Sequence, residues 1–504
     1  MPIPTDILKV ERPRNTIVIA YGRNKNHYAV RQRIGCKYVN GRHVPVNGAT
    51  IGHIINERYV PIEKSTIDNV SYSTVDMKYW GSFQLAENVF AEILPELQEV
   101  YSVDDALKIY SIALLRVCHP GIKDYELKET YDNSFLSELH PGIALSRNTV
   151  SRFLNDLGKA CSRITQFMRN RTAKVRLDHH LLVDGTLKSD ESGVNSLSDF
   201  SRKARTKGTR DISVLYAFDL EEMEPVCSKC FPGNMLDLTS YEAFIRENKI
   251  TRGIIVADKG FPSDAAASCF MESPDLHYLN PVKRNSKLIQ THSMLDFTEI
   301  LEGRKGITCR KEKCSGKSKW LYAFRDAERA SKEEMDWLGR AQKDGTYSLE
   351  ELKRRQKSFG TVVLESDLDL PLETVYKAYE DRWEIEIVMR YYKSACEFDE
   401  TRVQDDYSVI GSEFCDFLAT LLTFRILKAF DKAELLRKMN YGKIMDILKR
   451  AKKTRLPGEE WKLVRMNPSQ EEVLRKLSIL PEMATPIKRK RGRPRKELIS
   501  SEVE

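Results

Sequence analysis

Two continuous apolar runs, at residues 181–186 and 252–261, each lead to an aspartate, Asp184 in the first and Asp258 in the second. Between them, residues 211–226 alternate apolar and polar side chains, which predicts a half-buried strand. Continuous apolar runs are typical of strands buried on both faces, and ligands of such sheets bind at the carboxyl ends of the strands. The pattern therefore predicts an α/β fold, a mixed sheet flanked by helices, with both aspartates at strand ends.

The N-terminal third of the chain has a different pattern. Residues 1–83 hold short β-rich runs and two Asn-Gly pairs, Asn40-Gly41 and Asn47-Gly48, which predicts a small β module with hairpin turns. Residues 84–175 have helical periodicity. The segment 145–164 has apolar residues at helical spacing and several basic residues, so it is either the recognition helix of a helix-turn-helix or an ordinary bundle helix.

The segment from Tyr379 to Lys393 contains neither Gly nor Pro and predicts a helix. At about 100° per residue, four polar residues share a stripe roughly 60° wide: Tyr379, Arg382, Glu386 and Lys393. Apolar residues flank the stripe on both sides, which indicates a polar strip within a mostly buried helix. Because buried charges must be paired or bind an ion, the stripe is either a functional site or an i,i+4 pair between Arg382 and Glu386 beside a surface lysine.

Asp184, Asp258 and Glu386 together offer three carboxylates to a divalent metal. Taken singly, an aspartate at such a position is more often a turn or helix cap. As a set, hard oxygen ligands suit Mg²⁺ or Mn²⁺ and leave coordination positions for phosphate and water. Two ions about 4 Å apart would activate the attacking hydroxyl and stabilise the leaving 3′ oxygen. We therefore predict a two-metal phosphoryl-transfer site.

The spacing of the polar stripe is that of a known motif. Tyr379-x2-Arg382-x3-Glu386-x6-Lys393 resembles the YREK signature of insertion-sequence DDE transposases, the insertion-sequence-four superfamily. The resemblance implies that the tyrosine, arginine and lysine contact phosphates near the cleaved DNA end.

Further stretches resemble the same family over about residues 175–430. Asp184 in LLVDGT resembles the first aspartate of the family, and Asp258 in VADKGF resembles the second. The stretches PGN at 232–234 and VKRNSK at 282–287 also resemble family segments, which makes Lys283 and Arg284 candidate DNA contacts. The family implies an RNase H-like catalytic domain, a β-rich insertion before the glutamate, metal binding by the acidic triad, and hydrolysis at transposon ends followed by strand transfer.

Most of the excess positive charge lies near the C-terminus. The formal net charge is +8, and residues 488–496 (KRKRGRPRK) alone carry seven cations, so we expect a polyanionic partner. Within this run, Arg491-Gly492-Arg493-Pro494 resembles an AT-hook, whose thin core fits the floor of an A·T minor groove. The alternative is a nonspecific basic tail that binds phosphates by counterion release.

Other features bound the location and the cofactors. No run approaches the ~18 apolar residues of a membrane span, and the N-terminus lacks the apolar region of a signal peptide. We therefore expect an intracellular protein, cytoplasmic and nucleoid-associated when DNA-bound, with reduced cysteines and no membrane partner. The pairs Cys227/Cys230 and Cys309/Cys314 form only a weak zinc motif.

These observations predict a DNA transposase that cuts at the terminal inverted repeats of an insertion sequence and joins the ends to target DNA. Its partner is double-stranded DNA, its cofactor is Mg²⁺ or Mn²⁺ with two ions per site, and family resemblance implies a homodimer on paired ends. The alternative is a catalytically silent or host-adopted DNA-binding protein derived from a transposase. A nuclease on the same fold fits less well, because the stripe suits end positioning.

The predicted domains follow from these patterns. They are an N-terminal β-rich module at 1–83, a helical candidate end-binding region at 84–175, a catalytic domain in two parts at 176–262 and 368–430 around an insertion subdomain at 263–367, basic helices at 431–480, and the basic AT-hook-like tail at 481–504.

Overall fold

The computed structural model describes most of the chain. The described residues are 3–20, 27–39, 41–62, 75–190, 194–200, 209–235, 237–257, 267–314, 318–396, 400–401 and 403–481. They divide into two compact units, Met1–Asp76 with Arg455–Glu460, and Met77–Thr454 with Trp461–Glu504. Within these ranges no helix is both long enough and apolar enough to cross a membrane.

The first unit is a small antiparallel β module with its own core. Its sheet has the order β1-β2-β3-β4, and a small core of five residues that include Val18, Val30 and Ile54 lies under one end of it. Of the two predicted Asn-Gly turns, Gly41 lies between two strands, but Asn47-Gly48 lies inside β3. The elements are α1 (Thr5–Lys9), β1 (Thr16–Ala20), β2 (His27–Val39), β3 (Arg42–Ile55) and β4 (Arg58–Pro61).

The second unit begins with a helical region. Its helices carry apolar faces that join the main hydrophobic core, and Ser102 caps α4 by accepting a hydrogen bond from Asp105 N. The predicted helix at 145–164 is two helices that meet at Ala160. The elements are β5 (Asp76–Tyr79), α2 (Gly81–Phe90), α3 (Ile93–Gln98), α4 (Val103–Cys118), α5 (Leu127–Asp132), α6 (Leu136–Leu139), α7 (Arg147–Lys159) and α8 (Cys161–Thr172).

A mixed sheet follows, and its strand order defines the fold. The elements are β6 (His180–Asp190), β7 (Asp199–Phe200), β8 (Arg210–Asp219), β9 (Glu224–Pro232), α9 (Asp237–Glu247), β10 (Arg252–Ala257), α10 (Ala267–Glu272) and β11 (Asp275–Pro281). The central order is β9-β8-β6-β10-β11, with β8 and β9 antiparallel and β10 and β11 parallel to β6. Three antiparallel strands followed by two parallel ones in this order form an RNase H-like sheet, so the predicted fold class is confirmed.

The stretch after β11 extends the same sheet. β15 pairs antiparallel with β11, and β14, β13 and β12 follow outward. These four strands, the five RNase H-like strands and two short strands that pair with β8 and β6 form one sheet of eleven strands among the described residues. Two helices connect β14 to β15. The elements are α11 (Lys287–Thr291), β12 (Glu299–Ile300), β13 (Ile307–Lys313), β14 (Trp320–Asp326), α12 (Ala327–Lys343), α13 (Leu349–Gln356) and β15 (Thr361–Ser366).

A long buried helix forms the centre of the second unit. The apolar segment at 412–430 lies in α15 and packs on α7, α4 and β9, as its composition predicts. The predicted basic helices after residue 431 include short strands, which form a small sheet in the order β18-β17-β5. The elements are α14 (Leu372–Cys396), β16 (Glu400–Thr401), α15 (Asp406–Lys432), α16 (Tyr441–Arg450), β17 (Lys452–Arg455), β18 (Lys462–Leu463) and α17 (Pro468–Lys476).

Candidate active site

Asp184 lies in the middle of a strand, which corrects the prediction that it ends one. β6 continues to Asp190 and pairs with β8 along this whole length, with Asp184 opposite Tyr216. The strand continues because the polar residues after Asp184 are accommodated: Thr186 and Lys188 are buried on the same face of the strand. The Asp184 side chain itself is half-buried, and its Oδ1 accepts a hydrogen bond from Gly185 N at 2.9 Å.

The parallel partner of β6 ends next to Asp184. The last residue of β10, Ala257, pairs with Val183, the residue before Asp184. Further along the same edge, β16 pairs with β6 at Ser189 and Asp190. Within the described ranges, no strand pairs with this edge between those two contacts, and Asp184 lies in that interval. The other predicted aspartate, Asp258, lies outside the described residues.

Glu386 and Lys393 lie in α14, a single helix of 25 residues, so the predicted helix is confirmed. Their side chains are outside the described part of the structure, and the i,i+4 pair of Arg382 with Glu386 is not tested. On the described turns of α14, Ile385 is buried and Trp383 is 46% exposed. The helix therefore has one buried and one accessible side.

Tyr379 is held by a residue from outside the signature. Its hydroxyl accepts a hydrogen bond from Nη1 of Arg329, on α12, and its ring packs near that of Tyr376. The Arg329 guanidinium also lies 6.0 Å from the centre of the Trp383 ring. Arg382 is half-buried. The structure thus brings Arg329 to the polar stripe, a contact that the spacing of the signature does not contain.

Glu333 fixes the position of Arg329. Its carboxylate accepts hydrogen bonds from Arg329 Nε, from Arg284 Nη2 and from Gly360 N, each at 3.0 Å. Burial opposes ionisation of Glu333, but the hydrogen bonds from Arg284 and the Gly360 amide lower its pKa below the usual value. Arg284 thus forms an ion pair with Glu333 while 41% of its side chain remains exposed, and Lys283 is also exposed. The predicted DNA contacts of both residues stay predictions.

A buried ionic network connects β6, the strand that carries Asp184, to α15. The Lys188 ammonium contacts both Glu413 and Asp416 on α15, and Asp416 also accepts a hydrogen bond from Arg116 at 2.8 Å. Fewer than one tenth of each of these four side chains is exposed. Arg116, Glu413 and Asp416 also line a cavity of about 440 Å³, whose wall does not include Asp184. No local pattern in the sequence indicates this network, because its members are far apart along the chain.

A second group of potential metal ligands lies elsewhere on the sheet. The ligand atoms of His179, Asp219 and Glu221 lie within 4.8 Å of one another. Two of these side chains already have partners. His179 Nδ1 lies 2.7 Å from Asp219 Oδ2, and Asp219 Oδ1 accepts hydrogen bonds from the Glu221 and Glu222 amides. His179 precedes Asp184 by five residues, about 16 Å of extended strand, so this group is separate from the predicted triad.

Two further sequence features have different outcomes. Cys227 and Cys230 lie three residues apart in β9, so their side chains face opposite sides of the sheet, and they do not present two thiolates to one zinc ion. The AT-hook-like residues Arg491, Gly492, Arg493 and Pro494 lie outside the described residues, and their role stays a prediction.

One known protein family matches the part of the chain that carries these candidate residues. Residues 176–407 match the family described as "Transposase DDE domain". The matched range contains Asp184, Asp258, Glu386 and the signature helix up to Lys393. The match therefore supports a transposase DDE domain in this part of the chain. No curated protein matches the chain.

Two solved transposase structures show weak similarity. The cryo-EM structure of piggyBac transposase in a synaptic complex with hairpin DNA is 13% identical, with a TM-score of 0.38 over 73% of this chain and 79% of that chain. The Mos1 transposase paired-end complex with the left transposon end is 14% identical, with a TM-score of 0.15 over 31% of this chain and 58% of that chain. Both TM-scores are low, so the fold assignment rests on the strand order described above.

Proposed function

We propose that this chain is a metal-dependent DDE transposase of the insertion-sequence group with the YREK signature. It cuts DNA at the terminal inverted repeats of its element and joins the ends to target DNA. The catalytic residues are Asp184, Asp258 and Glu386. The match of residues 176–407 to the transposase DDE domain supports the reaction class, and the geometry around Asp184 supports the residue assignment.

The observation that carries this proposal is the parallel register of β6 and β10. Val183 pairs with Ala257, and in sequence each is followed by one of the predicted aspartates. The two strands are neighbours in one sheet, about 4.8 Å apart. We propose that Asp258, the residue after Ala257 in the sequence, supplies a second carboxylate beside Asp184, and that the two share a cation or a pair of cations.

The available donor atoms fit Mg²⁺ or Mn²⁺. The proposed ligands are all carboxylates, and the described one, Asp184, is half-buried. Hard oxygen donors of this kind hold hard cations and leave positions for water and phosphate. When bound, two such ions supply Lewis-acid activation of the attacking hydroxyl and stabilisation of the leaving 3′ oxygen. We propose that Asp184, Asp258 and Glu386 hold these ions.

The polar stripe of α14 is proposed to hold the DNA end. Tyr379, Arg382 and Lys393 offer one hydroxyl and two cations, which suit contacts to phosphate oxygens. The described contacts support this for Tyr379, because Arg329 orients its hydroxyl and adds a cation beside it. Lys283 and Arg284 are both exposed and are proposed as further phosphate contacts.

The proposed partner is double-stranded DNA, at the terminal repeats and in the target. Both ends must be joined, so the active form is proposed to be a homodimer on paired ends. The basic tail with Arg491, Gly492, Arg493 and Pro494 is proposed to add A·T minor-groove or general phosphate binding. We propose that the protein works in the cytoplasm, associated with the nucleoid when DNA-bound.

The experiment is a cleavage assay on DNA that carries the terminal repeats and flanks of the element, with Mg²⁺, Mn²⁺ or EDTA. We expect cuts at the repeat boundary that require the metal. Glu386→Gln and Asp184→Ala should abolish these cuts and leave DNA binding largely intact. Asp178→Asn, an exposed acidic residue just before β6, is the matched control and should cut normally.

Binding without any cutting under these conditions would instead favour the catalytically silent DNA-binding protein. Retained cutting in Asp184→Ala would exclude the proposed catalytic role of that residue.

A further inference from the structure

The first unit contains an unusually basic stretch of chain. From Arg12 to Asn56 there is no Asp or Glu, although the chain as a whole has 73 acidic residues in 504, which would give about six in a stretch of this length. The same stretch holds eight Lys and Arg residues. Such a one-sided composition is the electrostatic footprint of a polyanion-binding element.

The long hairpin of β2 and β3 carries part of this charge beyond the body of its own sheet. β1 pairs with β2 only up to Gln32, with one further hydrogen bond from Arg33 N to Asn15 O. β4 pairs with β3 only from Gly52 onward. In the described part of this unit, the two strands therefore continue alone over residues 33–39 and 42–47, here called the basic ribbon.

The basic ribbon has no core of its own. The core of the first unit contains Val30 and Ile54, near the base of the hairpin, and no residue of the ribbon. Apolar side chains in the ribbon are open to solvent: Ile34 is 70% exposed, Tyr38 68% and Val44 47%. A two-stranded hairpin is only marginally stable in water without a packed face. An exposed, coreless and basic ribbon is therefore suited to a partner that covers it.

The charge pattern and the shape of the ribbon identify that partner. Arg33, Lys37 and Arg42 are exposed, and none pairs with a carboxylate in the described part of this unit. Lys37 on β2 lies opposite Val44 on β3, and Arg42, two residues before Val44, is on the same face of the ribbon. Tyr38 and His43 are paired on the other face. The major groove of B-DNA, about 12 Å wide, admits a two-stranded β-ribbon.

We infer that the basic ribbon is a DNA-binding element that enters the major groove of duplex DNA. Its arginines and lysine contact phosphates and base edges, and its exposed apolar side chains contact groove-facing methyl groups. Register shifts between Val30 and Gly35 add the extra twist that lets a ribbon follow a groove. This inference deepens the proposed function, because it takes duplex DNA as the partner and assigns a surface to it.

The test compares two triple variants of the full-length chain, in EDTA so that no cutting occurs. One variant is Arg33→Ala/Lys37→Ala/Arg42→Ala. The control is Lys353→Ala/Arg354→Ala/Lys357→Ala, which removes three exposed cations from the region of α13. The probes are a mixed-sequence DNA duplex of about 30 base pairs and the RNA duplex of the same sequence, each titrated over a range of salt concentrations.

We expect the ribbon variant to bind the DNA duplex at least tenfold more weakly, with a salt-dependence slope lower by about 2–3, while the control is unchanged. The wild-type chain should prefer DNA, because the deep and narrow major groove of A-form RNA does not admit the ribbon. An unchanged DNA affinity, or equal losses on the DNA and RNA duplexes, would overturn the inference.

A chemical readout on the wild-type chain supports the comparison without any substitution in the ribbon. Cys36 lies in the ribbon and is exposed. Saturating duplex DNA should slow its alkylation several-fold, and an unchanged rate would overturn the inference. Ribbon-dependent binding by a chain that never cuts would leave this inference intact and refute the proposed function. Normal cutting and normal DNA binding by the ribbon variant would refute this inference and leave the proposed function intact.

Discussion

Lys188 on β6 and Glu413 on α15 form an ion pair in which only 4% and 5% of the side chains are exposed, with Nζ 2.6 Å from Oε2. Lys188 lies four residues after Asp184, on the same face of the same strand. Through this pair and the adjacent Asp416, α15 is tied to the strand that carries the candidate catalytic aspartate. The orientation of that strand therefore depends on an ion pair between buried side chains.

Replacing Lys188 by Met should destabilise the second unit strongly. The change removes the cation that compensates Glu413 and Asp416, and breaking a buried pair from one side typically costs about 3–5 kcal/mol. The loss should appear as a lower midpoint in urea unfolding followed by tryptophan fluorescence. Lys353→Met on α13 is the exposed control and should change stability by less than about 0.5 kcal/mol. Equal midpoints for Lys188→Met and wild type would contradict the structural role of the pair.

The same network predicts a pH dependence of stability. Burial raises the pKa of Glu413 to about 7 from an ordinary value of 4.5, despite the nearby Lys188 ammonium. The folded state then binds this proton more tightly than the unfolded state. Its stabilising contribution is therefore complete below 4.5 and is lost as the pH rises through about 7.

We expect Glu413→Gln to flatten the stability profile between about pH 6.5 and pH 8, measured as urea midpoints across that range. Glu96 and Glu333 contribute below this window because their pKa values are lowered, and His119, whose pKa burial lowers to about 4, contributes between about pH 4 and pH 6.5. A Glu413→Gln profile as steep as that of wild type would show that another group titrates.

Two glycine substitutions should have opposite effects. A Cβ at Gly158 on α7 would overlap the backbone carbonyl of Tyr407 on α15, so Gly158→Ala should separate two closely packed helices and cost about 1–3 kcal/mol. Gly339 on α12 has nothing within 4 Å of an added Cβ, so Gly339→Ala should be neutral or stabilising by up to about 1 kcal/mol. Thermal unfolding of both variants measures the contrast. Stabilisation by Gly158→Ala would refute the close approach of these helices.

The contact between Arg329 and Tyr379 predicts energetic coupling. If Arg329 orients the Tyr379 hydroxyl towards a DNA phosphate, Arg329→Ala and Tyr379→Phe should weaken the same interaction. The double variant should then lose less than the sum of the two single losses, with a coupling of about 0.5–3 kcal/mol in kcat/KM for end cleavage. Arg340→Ala, on the exposed side of the same helix, is the control. Strict additivity would show that the contact has no role in end binding.

Elements with strong local patterns were predictable. The run at 252–261 contains β10, and the apolar segment at 412–430 lies within α15. The end of β6 was not predictable, because Lys188 is buried only through partners more than 200 residues away. The second Asn-Gly pair was predicted as a turn, but it lies within β3 for a similar non-local reason. Gly48 leaves room for the Ile34 side chain on the paired strand β2.

The candidate site was partly predictable in the same sense. The stripe from Tyr379 to Lys393 follows from helical periodicity, which is local, and the helix is present. Arg329 lies on α12, 50 residues before Tyr379, and no short-range pattern in the sequence indicates that the two side chains are in contact. The motif predicts that Arg284 contacts DNA, and this stays a prediction, but its ion pair with Glu333 is identified only by the fold.

The continuity of the eleven-stranded sheet limits how this protein can be shortened or recombined. β11 is flanked by β10 on one side and by β15 on the other. Excision of residues 282–366 as a detachable cassette would leave β11 with an open edge, which invites aggregation between chains. Trimming this stretch away should therefore destabilise the remaining sheet and promote aggregation. Exchange between related proteins should succeed only when the whole block from β11 to β15 is transferred together.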